Sequence, residues 1–164
     1  MPIPDLPGLL YRPGYLDPEA QTRLLDAVRA VIAAAPLFAP RMPKTGKPFS
    51  VRMTNCGPLG WVSDAAGYRY QPVQPETGAP WPAMPEIVLK AWADLSGYAA
   101  PPQACLINYY GGGARMGLHQ DNDEADFAAP VVSLSLGDSA LFRVGGRSRK
   151  APTRSFELHS GDAV

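Results

Sequence analysis

The feature that most constrains the fold of this chain is a change of hydrophobic period after Pro102. From there on, apolar residues alternate with a period of two, as in strands, and glycine-containing turns separate the alternating runs. The predicted strands are residues 104–110, 131–136, 140–144 and 155–159. Closely spaced strands without intervening helices favour an antiparallel sandwich or a jelly roll.

Two helices are predicted before these strands. Residues 17–35 fit a helix that Asp17 caps and Pro18 starts. Its apolar face would carry Leu24, Leu25, Val28, Val31 and Ile32. Residues 85–97 fit a second helix that closes at Gly97. Its buried positions would be Val88, Trp92 and Leu95. The expected fold class is therefore α+β, and mainly β.

The segment between the helices, residues 36–82, is rich in proline, glycine and aromatic residues. Its large side chains include Met53, Trp61, Tyr68, Tyr70 and Trp81. Large rings on short strands and turns are typical of a surface that receives a ligand, so we expect a binding surface here rather than a packed layer.

Length and charge set further bounds. A chain of 164 residues is the size of one domain, and its formal net charge of zero means that a nucleic-acid contact would need a local basic patch. Cys56 and Cys105 are far apart in sequence and form no CxxC motif, which suits a reducing compartment, with the cytoplasm as the default. No apolar run is long enough to cross a bilayer, so we expect no membrane partner.

His119 and Asp121 form an HxD pair that follows a glycine loop at residues 111–113. Residues i and i+2 of an extended segment project from one face, so the imidazole and the carboxylate can converge on one ion. Together with a distant histidine, such a pair makes the facial triad of non-haem Fe(II) oxygenases. Alone the pair is weak evidence, because a surface histidine in an acidic loop would give the same pattern.

The HxD pair is part of a longer set of motifs. The run from Asn108 to Glu124 contains Asn-x-Tyr, the glycine loop and Leu-His-x-Asp-x-Asp-Glu, and it is followed by the apolar segment of residues 130–137. Residues 53–61, 67–70 and 81–85 precede it. Together and in this order, these motifs resemble the AlkB family of Fe(II)- and 2-oxoglutarate-dependent dioxygenases. The resemblance covers the chain from about residue 50 onwards.

The resemblance implies a double-stranded β-helix, or jelly roll, with N-terminal helices and an aromatic nucleotide-recognition lid. It implies one dioxygenase domain over residues 1–164, with the helices and the lid in 1–100 and the start of the jelly-roll core in 101–164. The metal would be Fe(II) and the co-substrate 2-oxoglutarate. The implied activity is oxidative dealkylation of N-alkylated bases in DNA or RNA, with release of succinate, CO₂ and an aldehyde. The substrate would be a single-stranded or flipped base, and the enzyme a monomer.

The same resemblance assigns the functional side chains. His119 and Asp121 would bind the metal, and Asn108, Tyr109 and Tyr110 would lie at 2-oxoglutarate. The residues that would contact nucleic acid are Met53, Trp61, Tyr68, Arg69, Tyr70, Asp123 and Arg149. Asp123 would accept a hydrogen bond from an exocyclic amine, and the rings would hold the base. Core packing stays the alternative for each aromatic residue, and a solvated acidic loop is the alternative for Asp123.

Arg149 belongs to a basic run that has no acidic residue between Ser139 and Phe156. The run consists of Arg143, Arg147, Arg149, Lys150 and Arg154. It could contact phosphates, or it could be the solvated tip of a hairpin.

The sequence departs from the family near its last residue. The family's third metal ligand, a later histidine, and the arginines that hold 2-oxoglutarate have no counterpart here. His159 precedes the Gly161-Asp162 turn, whereas the family's ligand follows it, so we expect His159 to be structural. We expect a chain shortened at this end that binds Fe(II) weakly and turns over little. Tight one-to-one binding in an anaerobic Fe(II) titration would contradict this expectation.

Two other functions stay open. An oxygenase of the same fold could act on a protein or a small molecule, in which case alkylated oligonucleotides would not stimulate succinate formation. A non-catalytic nucleic-acid binder would keep its affinity for DNA after His119 and Asp121 were both changed to alanine.

Overall fold

The computed structural model describes residues 7–164 and contains both predicted helices and six short strands in that range. In chain order the elements are α1 (Pro18–Ala34), β1 (Arg52–Cys56), β2 (Gly60–Asp64), β3 (Gly67–Gln71), α2 (Glu86–Leu95), β4 (Cys105–Tyr109), β5 (Ala140–Gly145) and β6 (Thr153–Leu158). Neither helix in the described part of the chain is long and apolar enough to cross a membrane.

Local signals set the ends of the helices. The Asp17 carboxylate accepts a 2.7 Å hydrogen bond from the Ala20 amide at the start of α1, where Pro18 occupies the first turn. The second helix ends before Ser96, and Gly97 then adopts the left-handed φ of 62° that terminates it. The predicted bounds of both helices are thus confirmed to within a few residues.

The buried helix faces are narrower than predicted. In α1, Leu24 and Val31 are buried, but Leu25 remains 38% exposed. In α2 the buried residue is Ala91. The three residues predicted to be buried there, Val88, Trp92 and Leu95, are only half-buried.

The strands form three antiparallel pairs: β1 with β4, β2 with β3, and β5 with β6. The β1–β4 pair joins the part of the chain before residue 100 to the part after it, so the two predicted regions share a sheet. In this pair Cys56 lies directly opposite Cys105, although the two residues are far apart in sequence. In the β2–β3 hairpin Trp61 lies opposite Tyr70.

The segment predicted to be mainly a binding surface, residues 36–82, instead contributes most of a buried core. The cluster consists of Ala35, Phe38, Val51, Met53, Val62 and Trp81. Four consecutive residues of β1 are buried, and the Thr54 hydroxyl donates a 2.7 Å hydrogen bond to the Ala35 carbonyl. The prediction failed because β1 is covered on both faces, which a short run rich in polar residues does not reveal.

Residues 131–136, predicted as a strand, form no regular strand in the structure. They are nevertheless paired: Ser133 exchanges two backbone hydrogen bonds with Val164, and the Ser135 amide donates to the Asp162 carbonyl. Leu134 and Leu136 pack against the cluster of Leu16, Ala20 and Leu24. The alternation of apolar and polar residues in this segment therefore reflects the burial of its leucine side. The backbone pairing is too short to form a regular strand.

Candidate active site

The loop that follows β4 carries the HxD pair, and its first half is fixed to the core. The Arg115 amide donates to the Ser50 hydroxyl at 3.1 Å, and that hydroxyl donates back to the Arg115 carbonyl at 3.0 Å. Ala114 and Met116 pack against the core cluster. The loop is therefore supported on its core side just before the pair begins.

His119 and Asp121 lie side by side and are both about half exposed. The His119 Nε2 atom is 3.4 Å from Asp121 Oδ1, and the His119 Nδ1 atom is 2.8 Å from the Gly117 carbonyl oxygen. A carbonyl can only accept, so Nδ1 carries the proton and Nε2 faces the carboxylate. The structure thus brings the two predicted metal ligands together.

The electrostatics of the pair agree with this contact. Hydrogen bonding to Asp121 raises the pKa of His119 to about 9, and the same bond lowers the pKa of Asp121 below its usual value. Burial opposes both shifts. A bound cation would replace the proton on Nε2, because metal ligands must be deprotonated.

The donor set fits a first-row divalent metal. Neighbouring ligands about 2.1 Å from such an ion lie roughly 3 Å from each other, close to the spacing of Nε2 and Oδ1. Within residues 7–164 there is no cluster of three or more His, Cys, Asp or Glu side chains placed to hold a metal ion. Among the described residues, the candidate metal donors are the imidazole and the carboxylate of the HxD pair.

The three predicted co-substrate residues are at the end of β4. Asn108 and Tyr109 are its last two residues, and Tyr110 follows them. All three side chains are exposed, and those of Asn108 and Tyr110 point to the same side because the residues are two apart. An amide and a phenol are therefore available there as hydrogen-bond donors.

Trp61 is the centre of an aromatic surface on the β2–β3 hairpin. Its ring stacks on Tyr68 with centroids 5.6 Å apart and an interplanar angle of 18°, and Phe49 contacts it at 6.2 Å. The indole Nε1 donates a 3.2 Å hydrogen bond to Asp123 Oδ2. This bond joins the aromatic surface to the loop of His119 and Asp121.

Tyr70, the cross-strand partner of Trp61, makes a second link to the loop. Its hydroxyl donates to Glu124 Oε1 at 2.5 Å. Burial, the bond to Glu124 and the charges of the nearby loop carboxylates all raise the pKa of Tyr70, so the phenol stays protonated. Two opposite hairpin residues thus bind two consecutive acidic residues, shortly after the HxD pair.

Two predicted substrate residues are occupied elsewhere. Arg69 forms a bidentate pair with Asp64, with both distances 2.9 Å, and a further bond to Gln71. Met53 is 1% exposed and belongs to the core cluster, so its side chain supports the hairpin rather than offering a surface to a substrate. A hydrophobic residue on a short strand could not be assigned to either role from sequence alone.

The basic run lies on the β5–β6 hairpin and its tip. Arg149 and Lys150 are exposed at the tip. The side-chain amide of Gln120 donates a 2.7 Å hydrogen bond to the Arg147 carbonyl, which places this tip beside the loop of His119 and Asp121. His159, at the far end of β6, is bound through Nδ1 to the Ser139 hydroxyl at 2.8 Å, in keeping with the structural role predicted for it.

Sequence reasoning did not assign roles to Asn55 or Gln120, and it named Glu124 only as part of a motif. Asn55 is fully buried, and its side-chain amide makes two 3.0 Å bonds to the backbone of Trp61, which fixes the position of that ring. A buried asparagine just before a glycine turn is the one signal that could have indicated this role.

Comparison with known proteins identifies the family. The family described as "2OG-Fe(II) oxygenase superfamily" matches residues 8–164. An "Alpha-ketoglutarate-dependent dioxygenase AlkB homolog" of Caulobacter vibrioides is 54% identical over 161 residues, 98% of this chain and 73% of the relative. The chain belongs to the AlkB family. An "Alpha-ketoglutarate-dependent dioxygenase AlkB" of Escherichia coli is 43% identical over 88% of this chain and 68% of its own length.

A solved structure supports the fold of this AlkB family member. The structure entitled "The structure of OsALKBH1" matches it with a TM-score of 0.70 and 25% identity, over 93% of this chain and 78% of that one. The expected jelly-roll class is therefore confirmed. As a family member the protein is a dioxygenase that uses Fe(II) and 2-oxoglutarate.

Proposed function

We propose that this protein oxidatively dealkylates N-alkylated bases in DNA or RNA. The observation that carries the proposal is the joining of two surfaces through one loop. The proposed metal donors His119 and Asp121 are followed, after Asn122, by Asp123 and Glu124, which accept hydrogen bonds from the aromatic residues of the β2–β3 hairpin. A site of this kind presents a flat, apolar surface next to an oxidising centre.

The bound Fe(II), with 2-oxoglutarate and O₂, would supply the oxidation and release succinate, CO₂ and an aldehyde. His119 Nε2 and Asp121 Oδ1 would hold the metal. Asn108 and Tyr110 would donate hydrogen bonds to a carboxylate of 2-oxoglutarate. The chain's own part in the chemistry is orientation and exclusion of water.

The β2–β3 hairpin would serve as the nucleotide-recognition lid. Tyr68 is 47% exposed and lies against Trp61, so the pair offers a ring surface on which a base removed from its helix can stack. Trp61 uses Asp123 Oδ2, which leaves Oδ1 to accept a hydrogen bond from an exocyclic amine. In this proposal Arg69 shapes the hairpin through Asp64, and Arg149 contacts phosphate.

The proposal treats the chain as one domain that acts as a monomer on a single-stranded or flipped base. The β1–β4 pair supports the single domain, because the strand of the predicted co-substrate residues is paired with a strand just before the lid. The lid and the metal loop would then move as parts of one unit.

The test is succinate formation with Fe(II) and 2-oxoglutarate in the presence of methylated or unmethylated oligonucleotides. We expect methylated oligonucleotides to stimulate turnover, and Asp123→Asn to weaken the stimulation about fivefold or more, because one good hydrogen bond to a base edge is worth about 1–3 kcal/mol. Stimulation equal to that by unmethylated strands would contradict the proposal.

A double variant, His119→Ala with Asp121→Ala, tests whether this pair carries the oxidation, and the behaviour of the wild type separates the remaining alternatives. We expect it to lose succinate formation, and to keep oligonucleotide binding because the lid is intact. A wild-type protein that binds oligonucleotides and oxidises nothing would indicate a binding protein instead. Succinate formation that depends on an added protein or small molecule would indicate an oxygenase with another substrate.

A further inference from the structure

Cys56 and Cys105 are the chain's two cysteines, and the fold places them opposite each other at one end of the β1–β4 pair. Both are free thiols; Cys56 is 1% exposed, and Cys105 is half-buried. Neither contributes to the candidate active site. The pair therefore needs a separate explanation.

The backbone geometry at the pair matches that of a disulfide. Directly opposite residues of antiparallel strands have Cα atoms about 4.5 or 5.5 Å apart, within the range of about 4.4–6.8 Å that disulfides span. The neighbouring backbone is equally close: a Cβ on Gly57 would lie 3.2 Å from the Gln103 carbonyl oxygen and 3.7 Å from the Ala104 Cα. The Leu59 amide also donates to the Gln103 carbonyl at 3.0 Å. The strand pairing thus holds the two cysteines close enough for a disulfide to form with a small adjustment.

The two thiols are also unequal in a way that suits stepwise oxidation. The interaction between the two side chains lowers the pKa of Cys105, and the same interaction together with burial raises the pKa of Cys56. Cys105 is the more exposed of the two. It is therefore the thiol that would react first with an oxidant.

We propose that Cys56 and Cys105 are an oxidisable dithiol site that a hydroperoxide converts to an intrachain disulfide. The Cys105 thiolate attacks one peroxide oxygen, the O–O bond breaks, and water leaves once the second oxygen is protonated, which gives a sulfenic acid on Cys105. The Cys56 sulfur then attacks that sulfur and displaces the second water. Two thiols and one H₂O₂ give one disulfide and two waters, and a thiol reductant reverses the change.

The disulfide would leave the candidate site in place. It closes the Cys56–Cys105 end of the strand pair, whereas Asn108 and Tyr109 lie at the other end. A crosslink between distant residues that fits the native geometry restricts the unfolded chain, so the oxidised protein should unfold at a higher temperature. Unselective oxidation of a buried thiol would lower that temperature.

The experiment treats the reduced protein with hydrogen peroxide in the presence of a metal chelator, then measures intact mass and titrates thiols. We expect the loss of two hydrogen atoms, simultaneous loss of both thiols, and a bridge between the tryptic peptides of residues 53–69 and 91–115. Dithiothreitol should restore both thiols. Oxygen addition without a bridge, disulfide-linked dimers, or two unchanged thiols would overturn the proposal.

Two single variants test the order of events. In Cys56→Ser the sulfenic acid on Cys105 should persist and react with dimedone, whereas Cys105→Ser should react with peroxide several-fold more slowly. Circular dichroism checks that each variant is folded, and Cys56→Ala is a second variant for the buried position. If Cys56→Ser does not accumulate a sulfenic acid while the wild type forms the bridge, the assigned order is wrong.

Discussion

Asp162 holds the N-terminal segment against the last residues of the chain. It is 3% exposed; its Oδ2 atom accepts from the Tyr11 hydroxyl at 2.6 Å and from the His159 amide at 2.8 Å, and Oδ1 accepts from the Gly14 amide at 2.8 Å. Burial alone would raise the pKa of Asp162, but the hydrogen bonds from Tyr11, His159 and Gly14 outweigh it and lower the pKa below its usual value. The ionised carboxylate is thus the form that the fold requires.

Asp162→Asn should lower the free energy of unfolding at neutral pH by about 2 kcal/mol, because charge-assisted hydrogen bonds are lost and an NH₂ group meets N–H donors. The Asp162 carboxylate contributes fully to the free energy of unfolding at pH values above the pKa that it has in the unfolded chain. This contribution is lost as the pH falls through its lower pKa in the folded protein. The difference in the free energy of unfolding between the wild type and Asp162→Asn should therefore shrink below about pH 4. Denaturant unfolding at several pH values measures it.

Asp138→Asn is the matched control, since Asp138 is an exposed carboxylate near the same end of the molecule. Asp138→Asn should change the free energy of unfolding by no more than about 0.5 kcal/mol. If the wild type stays more stable than Asp162→Asn by the same amount down to the lowest pH, the charge of the carboxylate does not stabilise the fold.

At the scale of elements, the β2–β3 hairpin depends on one close contact with the core. A Cβ on Gly60 would lie 2.3 Å from Trp81 Cε2. Trp81 cannot turn away easily, because it is 6% exposed and its indole donates a 2.8 Å bond to the Gln71 carbonyl. The hairpin therefore lies flat on this ring only because residue 60 has no side chain.

Gly60→Ala should lower the free energy of unfolding by about 3 kcal/mol, the upper part of the usual cost of overpacking. Gly112→Ala is the control, because a Cβ there would meet nothing within 4 Å and the backbone φ is not in the left-handed region. Thermal unfolding of both variants gives the comparison. Equal melting temperatures would mean that the hairpin can shift away from Trp81 without cost.

At the scale of the whole molecule, zero net charge leaves nucleic-acid binding to a local field. Arg149→Ala should weaken binding of a single-stranded oligonucleotide several-fold and reduce the slope of log affinity against log salt by about one. Arg29→Ala, which removes the same charge from an exposed position on α1, should change neither. Fluorescence anisotropy at several salt concentrations measures both, and equal effects of the two variants would contradict a specific role for Arg149.

The parts of the fold that sequence could predict are those set by neighbours in the chain. Asp17, Pro18 and Gly97 mark helix ends through local hydrogen bonds and backbone preference, and the glycine turns mark strand ends. The HxD pair was likewise predictable, because two residues in an extended segment face the same way. These features need no information about distant parts of the chain.

The features that sequence missed depend on contacts between distant residues. Met53 is buried because β1 pairs with β4, about fifty residues further on. The bonds from Trp61 to Asp123 and from Tyr70 to Glu124 cross 62 and 54 residues, respectively. Aromatic residues occur both in cores and on ligand surfaces. Only the folded structure therefore shows that Trp81 is a core residue, whereas Trp61 belongs to the aromatic surface.

The loop of His119 and Asp121 is tethered to two separate hairpins, through Glu124 to Tyr70 and through Gln120 to the Arg147 carbonyl. Under the proposed function, a ligand that displaces one hairpin would therefore also shift the loop that carries His119 and Asp121. Thermodynamic reciprocity then requires that an ion bound at the proposed site change the affinity for that ligand by the same factor by which the ligand changes the affinity for the ion. Metal and polynucleotide would in this way influence each other's binding through the hydrogen bonds that link this loop to the two hairpins.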